Sequence, residues 1–110
     1  MKIFISGGAG YIGSVLVPAL LLDGHEVTVL DNFSTGKAEN LTGLRGLLEV
    51  IEGDLRDPAR LEEAVRGAEV IFHQAAFVSP TQSIIEPKTC FEVNVQGTVN
   101  VLKAAGAAGA

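Results

Sequence analysis

The chain reads as an α/β domain: a parallel sheet with helices on both faces. Three observations predict it. Short apolar or β-branched runs alternate with helical patterns from one end to the other. The first run, Ile3 to Ile5, leads straight into a glycine cluster that opens an apolar helix. An acidic residue, Asp31, closes the next run. With right-handed crossovers, the alternation gives about four parallel strands in the spatial order 3-2-1-4. A ligand crevice is expected at the switch point between strands one and four.

The first strand is Ile3 to Ile5, and the turn that follows is the most informative stretch. Gly8, Gly10 and Gly13 fit G-x-G-x-x-G, and Gly7, Gly10 and Gly13 fit G-x-x-G-x-x-G. A glycine turn between a strand and a helix is how a Rossmann-type domain meets a pyrophosphate. The first glycines allow a tight turn with positive φ, Gly10 lets the backbone approach phosphate, and Gly13 lets the helix pack closely on the strand. The free N–H groups of the first helical turn, at Tyr11 and Ile12, then face the anion. The plain alternative is a strand-to-helix turn without a ligand.

The first helix runs from about Tyr11 to Leu22, with Ile12, Val15, Leu16, Ala19 and Leu20 expected against the sheet. Pro18 lies inside it and should kink it, since an interior proline costs ~3 kcal/mol. Asp23-Gly24 ends it in a left-handed turn. Glu26 to Leu30 is the second strand, followed by the polar loop Asp31 to Gly36 and a short helical segment over Lys37 to Leu44. Leu47 to Glu52 is the third strand, with Gly53 to Arg56 as its exit.

Asp57-Pro58 is an N-cap followed by a proline at the first helical position. Leu61, Ala64 and Val65 form that helix's stripe, and Gly67 ends it. Glu69 to His73 is the fourth strand, and Gln74 to Glu86 reads as a long irregular loop. Pro87 opens a helix to about Ala105 with Phe91, Val95, Thr98, Val99 and Leu102 on one face. Gly106 is expected to stop it. Residues 1–106 thus form one partial dinucleotide-binding domain, and 107–110 a frayed tail.

Composition narrows the function. A chain of 110 residues, nearly half apolar, is one small domain with a real core. No apolar run is long enough to cross a membrane, and no leader peptide is visible. The single cysteine, Cys90, precludes an internal disulfide and suits a reducing cytoplasm. A net charge of −5 without basic clusters argues against nucleic acid. An acidic domain that binds an anion must rely on backbone dipoles, which the glycine turn supplies. His73 has no second ligand at metal spacing, so no metal site is expected.

Taken together, G-G-A-G-Y-I-G-S at 7–14, D-N-F-S-T-G at 31–36, G-D-L-R-D at 53–57, H-Q-A-A at 73–76 and N-V-Q-G-T-V-N-V-L at 94–102 resemble one family. It is the extended short-chain dehydrogenase/reductases, in particular the NAD-dependent sugar-nucleotide epimerases and dehydratases. The resemblance implies NAD as cofactor and gives each segment a role. Asp31 would accept hydrogen bonds from the adenosine ribose hydroxyls and repel a 2′-phosphate, favouring NAD over NADP. Asn32, Ser34, Thr35 and Gly36 would sit beside the adenosine; the plain alternative is an Asx/Ser turn. Asp54 would take the exocyclic amine of adenine, and Leu55 would pack on its ring. Ala75 and Ala76 would leave room for the dinucleotide backbone. Asn94 would shape the nicotinamide end. His73 is expected to hydrogen-bond backbone.

The family's chemistry uses a tyrosine as general acid/base with a lysine four residues later. The only tyrosine here is Tyr11, and four residues on stands Val15. The sheet is expected to be truncated before strand five. The expectation is therefore an NAD-binding half of an epimerase or dehydratase, inactive alone. The alternative is a self-assembling module, paired through an open strand-four edge or the long helix.

Overall fold

The computed structural model describes residues 1–110. It contains β1 (Lys2–Ser6), α1 (Tyr11–Leu22), β2 (Glu26–Asp31), a 3-10 turn (Ala38–Leu41), β3 (Leu48–Glu52), α2 (Pro58–Val65), β4 (Val70–His73), α3 (Pro80–Ile85), α4 (Pro87–Phe91), a π-turn (Glu92–Gln96) and α5 (Gly97–Ala108). The four strands lie in the order β3-β2-β1-β4, all parallel. This is the expected Rossmann-type arrangement. Its switch point falls between β1 and β4.

Alternation along β1 divides the core. Ile3 and Ile5 face α1, packing with Val17, Leu21, Val27, Val29 and Leu41. Phe4 faces the other way, with Leu30, Leu61, Val65, Val101 and Ala104 of β2, α2 and α5. Each face of β1 is thus covered by helix, and its three apolar residues are all buried. β3 and β4 are the sheet's two edges.

Several local expectations need correction. The inward stripe of α1 is Gly13, Val17 and Leu21; Ile12, Val15 and Ala19 are exposed, and Leu16 and Leu20 are half-buried. Both sides of this helix are apolar, so hydropathy gave no unique stripe. What fixes its rotation is Gly13, where a Cβ would lie 2.1 Å from the Gly8 carbonyl oxygen. Gly13 therefore seats the helix on the glycine turn, not on the strand. The segment after β2 is only a 3-10 turn.

The loop after β4 is not irregular throughout. Ser79 caps α3, its Oγ accepting from the Gln82 N–H at 3.2 Å, with Pro80 at the first helical position. This is the same cap-plus-proline device as Asp57-Pro58. The long helix is broken by the π-turn and passes through Gly106 to Ala108, ending at a left-handed Gly109. Residues 107 and 108 thus lie within the helix. Its buried residues are Gly97, Asn100, Val101 and Ala104, whereas Phe91, Val95, Val99 and Leu102 are exposed.

Candidate functional site

The carboxyl ends of β1, β2, β3 and β4 open onto one elongated cleft. Its first lobe is lined by Gly7, Gly10, Tyr11, Ile12, Asp31, Asn32, Ser34, Thr35, Gly36, Ala75 and Ala76. Its second shares Asp31, Asn32, Ser34, Ala75 and Ala76 and adds Asp54, Leu55, Arg56, Phe77, Thr89 and Val93. The structure therefore brings together the residues expected from sequence to hold the cofactor, except Gly13, which lies beneath the turn, and Asn94, which lines neither lobe; Gly8 and His73 also lie outside the cleft.

The first lobe is shaped by missing side chains. Gly7 has φ of +71°, and a Cβ there would lie 2.7 Å from the backbone of Ala75. Gly10 differs: a Cβ would meet nothing closer than the Gly7 carbonyl at 3.4 Å, so packing does not demand a glycine. Its bareness leaves space for something outside the chain. Gly10 is also the N-cap of α1 and offers no side chain to the helix's first N–H groups. Those donors and the positive end of the helix dipole face the cleft. A pyrophosphate fits this cradle.

Asp31 is only 8 % exposed. One carboxylate oxygen accepts the Ala9 N–H at 3.0 Å, and the other accepts the Phe33 N–H at 2.8 Å. It latches the glycine turn to the exit of β2. Each oxygen keeps a lone pair for a hydroxyl. Gly36 closes against this latch, where a Cβ would come within 2.9 Å of the carboxylate.

Asp54 is more heavily committed than its sequence context implied. Its Oδ1 accepts from the Arg56 backbone N–H at 2.9 Å and Nε at 3.0 Å. Its Oδ2 accepts from Arg56 Nη2 at 2.8 Å and, more weakly, from Asn32 Nδ2 at 3.4 Å. The guanidinium holds the Asp54 carboxyl down to about 2, and the same pair raises Arg56. An adenine amine would have to displace the long Asn32 contact. Leu55 forms part of the core, 5 % exposed, against Gly97, whose missing Cβ would sit 2.9 Å from the Leu55 Cβ. That contact explains the mid-helix glycine.

Asn94 does not reach the cleft. Its Oδ1 accepts the Phe77 N–H at 2.7 Å and its Nδ2 donates to the Phe77 carbonyl at 2.9 Å, with a further contact to Cys90 Sγ. The carboxamide is spent on holding the loop after β4. Asn100 does the same for the loop after β3, its Nδ2 donating to the Leu55 carbonyl at 2.9 Å. His73 bonds two side chains, Ser6 and Thr98, not backbone.

Arg56, Phe77, Thr89 and Val93 were missed as lining residues. Arg56 was within reach of sequence, two positions after an acidic exit residue. Thr89 and Val93 depend on the π-turn, which no periodicity announces.

Residues 3–110 match the model of the NAD dependent epimerase/dehydratase family. The chain belongs to that family. It is 42 % identical over 113 residues to a UDP-glucose 4-epimerase of Mycolicibacterium smegmatis, covering 99 % of this chain and 36 % of the relative. It is 39 % identical over 111 residues to UDP-glucuronic acid decarboxylase 1 of Danio rerio, covering 99 % of this chain and 25 % of that protein. Among solved structures, the UDP-glucose 4-epimerase of Thermus thermophilus in complex with NAD superposes with a TM-score of 0.87 at 40 % identity, covering 99 % of this chain and 35 % of the other. The chain thus spans about a quarter to a third of the length of these relatives.

Proposed function

We propose that the chain is the cofactor-binding part of a nucleotide-sugar epimerase or dehydratase and that it holds the adenosine and pyrophosphate of NAD. The observation that carries this is the uncapped N-terminus of α1 opening onto the cleft at the switch point, with Gly10 bare where packing requires no glycine. Family membership and the NAD complexes of similar structures support the choice of NAD. The α1 N–H groups at Tyr11 and Ile12 would meet the pyrophosphate, with Gly7 and Gly10 giving it room. The free lone pairs of Asp31 would take the ribose hydroxyls, and the same carboxylate disfavours a 2′-phosphate. Asn32, Ser34, Thr35 and Gly36 border the ribose, Asp54 and Leu55 border the base, and Ala75 and Ala76, which line both lobes, leave room for the dinucleotide backbone.

When bound, NAD supplies reversible hydride acceptance at a sugar carbon. These residues bind and orient it but include no Tyr-x-x-x-Lys pair to move the proton. The 110-residue chain by itself is accordingly a binding module and not a catalyst. With half a site, its affinity for NAD is ~0.1–1 mM. Calorimetric titration tests this: saturable heat with NAD, weaker with NADP, is the expected result. No heat with either from a folded sample overturns the reading. Turnover of UDP-glucose by the pure chain would overturn inactivity.

A second reading is favoured by one surface. Phe91, Val95, Val99 and Leu102 are exposed by 60 %, 47 %, 38 % and 66 %, and Leu102 lines a hollow with Ile71 and His73 of the edge strand β4. An uncovered parallel edge beside an apolar helix face favours pairing of two copies. A monodisperse monomer by light scattering at high concentration would sink this.

A further inference from the structure

The contacts of His73 form a hydrogen-bond relay whose direction the structure determines. Thr98 has one hydroxyl proton, and its Oγ1 lies 2.6 Å from the Asn94 carbonyl, which can only accept. Toward the histidine, Thr98 must therefore accept, so His73 Nε2, 2.9 Å away, carries the proton. At the other end, the Ser6 Oγ accepts the Ala75 N–H at 3.2 Å and shares the Gln74 N–H, at 3.1 Å, with the Ser6 carbonyl. With the proton on Nε2, the Nδ1 of the neutral ring is an acceptor, and it takes the Ser6 hydroxyl proton at 2.7 Å. The neutral ring is thus held in a single tautomer. A second ring proton would displace the Ser6 proton and break this relay.

The relay sits where the site is made. Ser6 is the last residue of β1, fully buried, and directly precedes Gly7. Ala75, which Ser6 holds, is the residue whose backbone Gly7 touches so closely that no Cβ fits between them. Both lobes of the cleft share Ala75 as a wall. A change in the Ser6–Ala75 spacing therefore moves the glycine turn against its opposite wall. The charged groups nearest in sequence take no part: Glu69, at the opposite end of β4, accepts from the Lys2 N–H, and Glu92 pairs with Arg56 and Lys88.

We propose that His73 is a positioning residue of the nucleotide site, fixing through Ser6 and Thr98 the distance between the exits of β1 and β4. This rests on the nucleotide-site reading above. It touches neither base nor phosphate and acts through the Ser6 hydroxyl and the Ala75 backbone.

The test combines nitrogen-15 NMR of the chain with calorimetry using ADP-ribose. In the wild type, the ring should show the Nε2–H tautomer. His73→Phe should shift the amide resonances of Gly7, Gly8 and Ala75 and weaken ADP-ribose about tenfold through the lost hydrogen bonds. His73→Gln, whose amide offers one donor and one acceptor, should restore the resonances and bring affinity to within about twofold of wild type. An Nδ1–H tautomer, unmoved amides in the Phe variant, or a Gln variant that behaves like Phe would each overturn the proposal. If His73→Phe does not fold, the wild-type tautomer and the Gln variant decide. A folded wild type that binds no ADP-ribose overturns the nucleotide-site reading instead, and the amide shifts still judge His73.

Discussion

The two walls of the cleft are built on opposite principles. The wall from the glycine turn and α1 is made of backbone: Gly13 seats on Gly8, Gly8 on Val29, and no side chain caps the helix. The wall from the β3 and β4 exits is made of polar side chains. Asn94, Thr98 and Asn100, from one stretch of helix, reach Phe77, His73 and Leu55 respectively. The first wall tolerates no added atom at Gly7, Gly8 or Gly13. The second tolerates none of its hydrogen bonds being left half-made. Steric exclusion has no partial form, whereas a lost hydrogen bond costs a bounded amount, so the two walls should fail differently.

The largest effect is expected from Gly13→Ala. Its Cβ would fall 2.1 Å from backbone, and no flexible side chain can yield there. A net loss of about 2–3 kcal/mol is expected even after the gain in helix propensity. Chemical denaturation would measure it, and a variant as stable as wild type would break the steric account of this wall. Asn94→Ala should cost less, about 1–2 kcal/mol, because it leaves the Phe77 N–H and carbonyl without partners in a half-buried place. Asn94→Asp keeps the acceptor alone and should fall between. Equal losses for the two would deny that both bonds matter.

Asp31→Asn sharpens the comparison, since Asp31 serves both functions. It should lower NAD binding and also cost about 1 kcal/mol in stability, because an amide nitrogen cannot accept from Ala9 or Phe33. Lost binding at unchanged stability would mean that the latch contributes nothing.

The smallest effect is the pH response of the side-chain wall. Burial lowers His73 below its ordinary 6.5, so the unfolded chain binds the extra proton first. Its contribution is complete above pH 6.5 and is lost as the pH falls toward the folded value. Asp54, held at about 2 by Arg56, contributes fully above 3.8 and loses that support as the pH falls toward 2. Melting temperature should therefore fall in two stages on acidification. His73→Gln should abolish the first stage, and a first stage that survives in that variant would point to another group.

The same division explains what could be read from sequence. The backbone-built wall was legible because its requirements are written as glycines at fixed spacing, and with it the strand order and the ends of α1. Of the other wall, Asp54, Leu55, Ala75 and Ala76 were legible and the helix that supports them was not. Hydropathy grouped Phe91, Val95, Thr98, Val99 and Leu102 on one face, but the buried positions are Gly97, Asn100, Val101 and Ala104. A helix that must touch Leu55 closely and bond two loops needs small and polar residues on that side. Apolar periodicity then marks the wrong face. That Asn94 is spent on Phe77 and Asp54 on Arg56 could not be read, because hydrogen-bond saturation is invisible without coordinates. Ser79-Pro80, by contrast, carried a legible signal that was passed over.

The π-turn at Glu92–Gln96 places an extra residue in one turn, like a spliced-in tooth on a gear. Each helical residue advances the side chains by about 100°. Thr89, upstream, therefore reaches the cleft while Val101 and Ala104, downstream, reach the core; a straight helix would set Thr89 and Val101 about 120° apart around its axis. This stretch should accept many substitutions yet be intolerant of length change. Removing a single residue between 92 and 96 would re-index everything before it and swing Thr89 out of the cleft, with every remaining side chain chemically intact.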